Sequence, residues 1–136
     1  MNRREPKLIV NMVLFANGKV LFVKYKNRPD HQKGWFIPHD LVPYNTHPED
    51  IAISLVKNQL NLEISHPRIA YLESFRGNDR TWHLPISYVV NLNHIPKVST
   101  SKDIEAIKWF DLNGLPDRSE VSHYGWALDI LLRIKC

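Results

Sequence analysis

Cysteine is nearly absent from this chain, with Cys136 alone at the end of 136 residues. One thiol excludes an internal disulfide and a cysteine-based zinc site, and it favours a reducing compartment, so a cytoplasmic protein is expected. Long apolar runs are lacking as well, and no stretch could span a bilayer, so no membrane partner is expected. The basic start MNRREPKLIV leads into an apolar segment interrupted by Asn11 and Asn17, with no small-residue cleavage site, and does not read as a secretory leader. Lys and Arg form no long block, and the formal net charge is only +4 with a pI of about 9.3. That sign favours anionic partners such as phosphates and is too mild to argue for nucleic acid. Repeats, low-complexity tracts and linkers are also missing. What is present is a globular composition, 43% hydrophobic and 24% charged, on a chain of the length of one domain with a real core. A single domain over residues 1–136 is expected.

Strands are predicted at 7–15 and 20–25, joined by an Asn-Gly turn, with a loop at 26–34 and a short apolar strand piece, WFIP, after it. The text HDLVPYNTH reads as irregular. A helix is predicted over 48–60. Pro48 suits its first turn, His47 or Thr46 caps it, and Glu49 and Asp50 suit the positive end of its dipole. Ala52, Val56 and Leu60 form an apolar stripe widened by Ile51 and Leu55, and Asn61 ends it. Three more strands follow at 68–75, 82–92 and 105–112, the first two joined by RGNDRT with Arg76 and the Asp79-Arg80 turn as a hairpin tip. The last helix is predicted in EVSHYGWALDILLRI, with Trp126, Ile130 and Leu131 or Ile134 facing inward. Strands, helix, strands, helix make an α+β class, a three-layer α/β/α sandwich with a mixed sheet between helices.

The stretch GWFIPHDLVPYNTHPEDIAISLVKNQLNLEI, residues 34–64, carries a further pattern. Trp35, Ile37 and Pro38 approach a loop. Val42, Pro48, Glu49 and Asp50 mark that loop and the helix start, and Val56 and Leu62 are aliphatic. Together with the element order and the C-terminal text IEAIKWFDLNGLP, this resembles the Nudix (MutT-like) hydrolase family over nearly the whole chain. The resemblance implies hydrolysis of a nucleoside diphosphate linked to another group, and homodimers occur among proteins that look like this. The family signature is G-x5-E-x7-R-E-U-x-E-E-x-G-U, with U aliphatic, and the spacing holds here without insertion. The box is nevertheless degenerate over residues 40–62. Asp40 stands at the first glycine, Thr46 at the first glutamate, Ser54-Leu55 at the Arg-Glu pair, Asn58-Gln59 at the Glu-Glu pair and Asn61 at the last glycine.

Cleaving a pyrophosphate in water needs its charge neutralised and a water activated, and a divalent metal supplies both. Mg²⁺ wants oxygen ligands, best from carboxylates. Positions 55, 58 and 59 stand at i, i+3 and i+4 and share one helix face. Leu55 offers no ligand there, and Asn58 and Gln59 offer only neutral amide oxygens. The expectation is therefore a Nudix-fold protein with no resident metal. It binds a nucleotide-like phosphorylated ligand, or a partner, without conventional Mg-dependent pyrophosphohydrolysis.

An alternative is an active hydrolase of nucleoside diphosphate derivatives, of the nucleoside diphosphate sugar type that KNRP…GWFIP resembles. Its candidate catalytic residues are Asp40, Glu49, Asp50, Asp103 and Glu105, with Mg or Mn as cofactor. A third reading is a protein- or RNA-interaction module with a vestigial cleft. The acids have plainer readings as first-turn helix acids and a solvated strand entry. For ligand binding the candidates are Lys24, Arg28, Trp35, His39, Asn58 and Gln59. Lys24 and Arg28, with Lys26, flank the cleft side of the second strand if the resemblance holds, and could hold phosphate oxygens. Trp35 could stack on a base or pack in the core. Asn58 and Gln59 could hydrogen-bond a base or sugar without metal, or be solvated.

Overall fold

Asn17 and Gly18, at φ of 51° and 72°, close a two-residue turn between β1 (Lys7–Ala16) and β2 (Lys19–Tyr25), with Ala16 opposite Lys19. This is the hairpin that Asn-Gly favours, because both central residues must sit at positive φ. The computed structural model describes residues 5–77 and 80–134. The basic first residues Met1–Arg4, Asp79 of the expected hairpin tip and Cys136 lie outside the described residues.

The remaining strands are β3 (His39–Leu41), β4 (Arg68–Leu72), β5 (Phe75–Arg76), β6 (Trp82–Leu92) and β7 (Ile104–Asp111), and the helices are α1 (Pro48–Leu60) and α2 (Ser122–Arg133). They form a mixed seven-stranded sheet in the order β4-β6-β1-β2-β7, with β3 on β1 and β5 on β6. β1 and β6 run parallel from Lys7↔His83 to Ala16↔Leu92. From Ile9 to Ala16 every residue of β1 is buried. A strand covered on both faces needs apolar residues at every position, which is why it reads as an unbroken run rather than an alternation. Val13, Phe15, Val20 and Phe22 pack with Ala127 and Ile130 of α2 and with Ile134 just after it, while Met12, Leu14, Leu21 and Val23 pack with Ala52, Leu55, Val56 and Leu60 of α1. The sheet therefore lies between the helices, as the α/β/α expectation has it. No helix among the described residues is long and apolar enough to cross a membrane.

α1 has the predicted bounds. His47 caps it by accepting the Glu49 backbone N–H, and Asn61 ends it in the left-handed conformation with φ of 54°.

Three elements depart from expectation. WFIP is not a strand: Trp35 and Phe36 make only isolated bridges, and the strand forms in HDL instead. The reason is that β2 pairs with only the end of β1, at Phe15 and Ala16, which leaves the edge at Ile9–Asn11 open. β3 closes that edge. The strand predicted at 68–75 breaks into β4 and β5. The last helix is helical only after Gly125, because His123, Tyr124 and Gly125 hold φ of 52°, 58° and 81°.

Candidate functional site

Where β3 replaces β2 beside β1, the sheet splits, and a cleft of about 1480 Å³ opens there. Its walls come from β1, β3, α1, the segment around β5 and the start of α2. Strand register builds its floor in rows. His39, Asn11 and Ser87 stand side by side across β3, β1 and β6, followed by Leu41, Ile9 and Pro85. Beyond them Lys7 faces His83, which in turn faces Phe75 of β5.

On the α1 side three residues close a ring of hydrogen bonds. The Tyr25 hydroxyl donates to Gln59 Oε1 at 2.6 Å and accepts the His39 backbone N–H at 3.0 Å. Gln59 Nε2 donates to the His39 carbonyl at 2.9 Å. Burial raises the Tyr25 hydroxyl well above the ordinary tyrosine value, so it stays protonated and can donate. The His39 ring makes edge contacts with Tyr25 and Phe36, each with centroids 5.0 Å apart. Burial also holds its pKa below the usual 6.5. Its Nδ1 lies 3.0 Å from the Ile37 carbonyl, which can only accept, so Nδ1 carries the proton of the neutral ring. Leu55, one turn before Gln59, is 1% exposed and belongs to the core with Val56 and Leu60. Of the helix face singled out in the sequence, only Asn58 is exposed at the cleft.

At the α2 end the cleft is aromatic. Phe75 stacks on His83 with centroids 5.1 Å apart, and meets Trp126 edge-on at 5.2 Å. Phe36 contacts both His123 and Trp126. The Trp126 indole N–H donates to Glu73 Oε2 at 3.2 Å. Burial raises the Glu73 pKa against this hydrogen bond. Cations stand around the rim at Lys7, Arg28, Arg76 and Lys102, and the Arg28 guanidinium lies 5.0 Å over the Tyr25 ring.

Six sequence candidates line this cleft: Asp40, Asp103, Arg28, His39, Asn58 and Gln59. Asp40 Oδ1 accepts the Leu41 backbone N–H at 2.8 Å. The others lie elsewhere. Glu49 and Asp50 occupy the first turn of α1, and Glu105 is exposed on β7. Lys24 is a correction, since it does not line the cleft, and Trp35 takes the packing alternative rather than the stacking one. β2 is pleated, so Lys24 points with Phe22 while Tyr25 faces the cleft. The Lys24 ammonium sits 4.6 Å over the Trp35 ring, and Trp35 packs edge-on against Phe110 of β7 at 5.3 Å. Tyr25, Glu73, Phe75 and His123 escaped sequence reasoning because no local pattern ties them together. Asn11 did give a signal, as a polar residue inside the apolar text of β1.

The fit of a metal can be judged on these donors. A hard divalent cation needs several convergent oxygens, best anionic. Here Leu55 is in the core and the Gln59 amide is committed to Tyr25 and His39. Among the described residues no three of His, Cys, Asp and Glu stand close enough to hold a metal ion. The residues present on α1 do not fit one.

This two-helix mixed sheet is the Nudix fold, the fold of the MutT hydrolases. Solved structures carry that assignment. A MutT Nudix hydrolase from Burkholderia pseudomallei superposes with a TM-score of 0.81 at 16% identity, covering 97% of this chain and 100% of that one. The Nudix domain of Shewanella oneidensis NrtR, complexed with ADP ribose, gives 0.75 at 15% identity, covering 96% and 87%. An Ap4A hydrolase of C. elegans gives 0.72 at 16% identity, covering 93% of each chain. No protein-family model matches the sequence, and no curated protein does. At such identities the likeness is one of fold.

Proposed function

We propose that this protein binds a nucleotide-like phosphorylated ligand in the cleft and does not hydrolyse it by the Mg-dependent route. The observation that carries this is the commitment of α1. Its residue 55 is core, and the side chain of residue 59 is spent on holding β2, β3 and α1 together. Binding is supported by the rim cations, which suit phosphate oxygens, and by the aromatic end, which suits a flat ring. The cleft volume exceeds the usual few hundred to about 1,000 Å³ of a small-molecule site, so a nucleoside diphosphate with a further group has room. The Nudix domain of S. oneidensis NrtR supports a ligand of this class, since it was solved with ADP ribose.

The test is incubation with nucleoside diphosphate sugars, dinucleotides and nucleoside triphosphates, in Mg and then Mn, read by mass spectrometry, beside calorimetry of the same ligands. Binding without turnover supports the proposal. Turnover at an ordinary rate refutes it. A second reading, hydrolysis through relocated acids, is favoured by one observation: Asp40 and Asp103 line the same cleft. It requires turnover that disappears in Asp40→Ala or Asp103→Ala.

A further inference from the structure

Among the described residues, Glu73 is the one carboxylate of the cleft that accepts a hydrogen bond from an aromatic ring. We propose that the α2 end of the cleft holds a guanine-type nucleobase with its two-donor edge turned to Glu73. This rests on the nucleotide-binding reading above and adds which base is taken.

Glu73 follows β4 on the cleft side, its backbone N–H donating to the Pro85 carbonyl at 3.3 Å. The Trp126 indole fixes Oε2. Among the described residues no donor makes a hydrogen bond to Oε1, and the charges that act on the carboxylate are Arg133, which favours its ionised form, and Asp129, which opposes it. Phe75 and Trp126, at right angles to each other, supply apolar walls beside the carboxylate. Burial raises the pKa of Glu73, so the charged form gains from any donor that reaches it.

An independent observation points the same way. Asn11, in the cleft floor two strands from Glu73, is 0% exposed, and its Nδ2 donates to Ser87 Oγ at 3.3 Å. Its Oδ1 has no partner, although a buried carbonyl oxygen of this kind is nearly always satisfied. Asn11 thus leaves one polar atom unmet in the cleft floor, and Glu73 turns a carboxylate toward the cleft, where a ligand N–H can meet it.

The nucleobases differ in how they answer that demand. A carboxylate accepts two parallel N–H bonds. Guanine places N1–H and the N2 amino group side by side. Hypoxanthine has only N1–H. Adenine and cytosine set a ring acceptor beside their amino group, and uracil flanks its N3–H with two carbonyls, so each turns a repelling lone pair toward Glu73.

The test is calorimetry of the full chain with GDP, IDP and ADP in metal-free buffer, repeated with Glu73→Gln. GDP is expected to bind at least about tenfold tighter than IDP or ADP. In Glu73→Gln the preference for GDP is lost: GDP weakens because one of its two donors now meets an amide N–H, and ADP gains because that N–H meets the acceptor beside its amino group. A pH series on the unaltered protein gives a second measurement that needs no variant. The preference for GDP declines as acid protonates Glu73, and ADP binding does not follow. Equal affinities for the three, a preference that survives Glu73→Gln, or one indifferent to acid overturns the inference and leaves nucleotide binding standing. If none of the three binds and a nucleoside diphosphate sugar or dinucleotide does, this inference alone falls, and if none of either panel binds, both fall.

Discussion

Gln59 shows how one residue can convert a site. A glutamate at that position would still accept the Tyr25 hydroxyl. It would also press a carboxylate oxygen against the His39 carbonyl, where Nε2 now donates at 2.9 Å. Gln59→Glu is expected to destabilise the protein by about 1–3 kcal/mol, the cost of an unmet buried acceptor, seen as a lower urea midpoint at unchanged slope. Leu55→Ala opens the core beside it and should cost about 2–5 kcal/mol.

His39 adds a pH dependence. Its folded pKa lies below the usual 6.5, so between those values the unfolded chain binds a proton that the folded chain refuses. Stability is then complete above pH 6.5 and declines as pH falls through that window toward the lower folded value. Thermal melts should fall over that range, and His39→Phe should remove that part of the decline.

At the scale of elements, the entry to α2 is held in place rather than simply capped. Three consecutive left-handed residues are rare, and each one other than glycine costs about 1–2 kcal/mol. Arg118 holds them: Nη1 donates to the Tyr124 carbonyl at 2.8 Å and the guanidinium pairs with Asp129. The turn keeps His123 at the cleft and leaves Tyr124 at its edge, 73% exposed.

Gly125 sits under Arg118, where an added Cβ would lie 2.5 Å from Cγ and 2.6 Å from Nη1. Gly34, at φ of 115°, is set against backbone instead, and its Cβ would fall 2.7 Å from the Glu120 carbonyl oxygen. Arg118 can yield only by giving up its bonds to Tyr124 and Asp129, whereas a backbone carbonyl cannot turn aside. Gly34→Ala should therefore lower the melting temperature more than Gly125→Ala. Equal effects would mean that the contact between the 34–36 segment and residues 120–122 yields as readily as the Arg118 side chain.

For the molecule as a whole, the Nudix fold is built here around a helix that carries Leu55, Asn58 and Gln59 on one face. Restoring the acids should not restore turnover. Leu55→Glu combined with Asn58→Glu and Gln59→Glu places a charge in the core, and the buried carboxylate alone costs several kcal/mol. Loss of the folded state is the expected outcome by circular dichroism. A folded triple variant that cleaved a nucleoside diphosphate in Mg would show that α1 can rotate its acids outward. Binding should also weaken with salt, since the rim cations are exposed to solvent. Arg28→Ala should weaken nucleoside diphosphate binding and flatten that salt dependence.

Much of the architecture was legible from residues near each other in the chain. The Asn-Gly hairpin, the bounds of α1, its His47 and Asn61 caps and the strand at 82–92 follow from turn chemistry, capping and periodicity, which act within a few residues. The missing acids could be counted from the same text, and the core role of Leu55 was open to it through the spacing of its neighbours. The cleft was not legible in that way. Whether β3 forms in WFI or in HDL depends on an edge of β1 that β2 leaves unpaired. Whether Gln59 faces a ligand or locks a loop depends on Tyr25, thirty-four residues away in the chain. Glu73 meets Trp126 only because β4, at the edge of the sheet, delivers it to the face that α2 covers. Local physics determined the elements, and contacts between distant residues decided what the side chains on them were free to do.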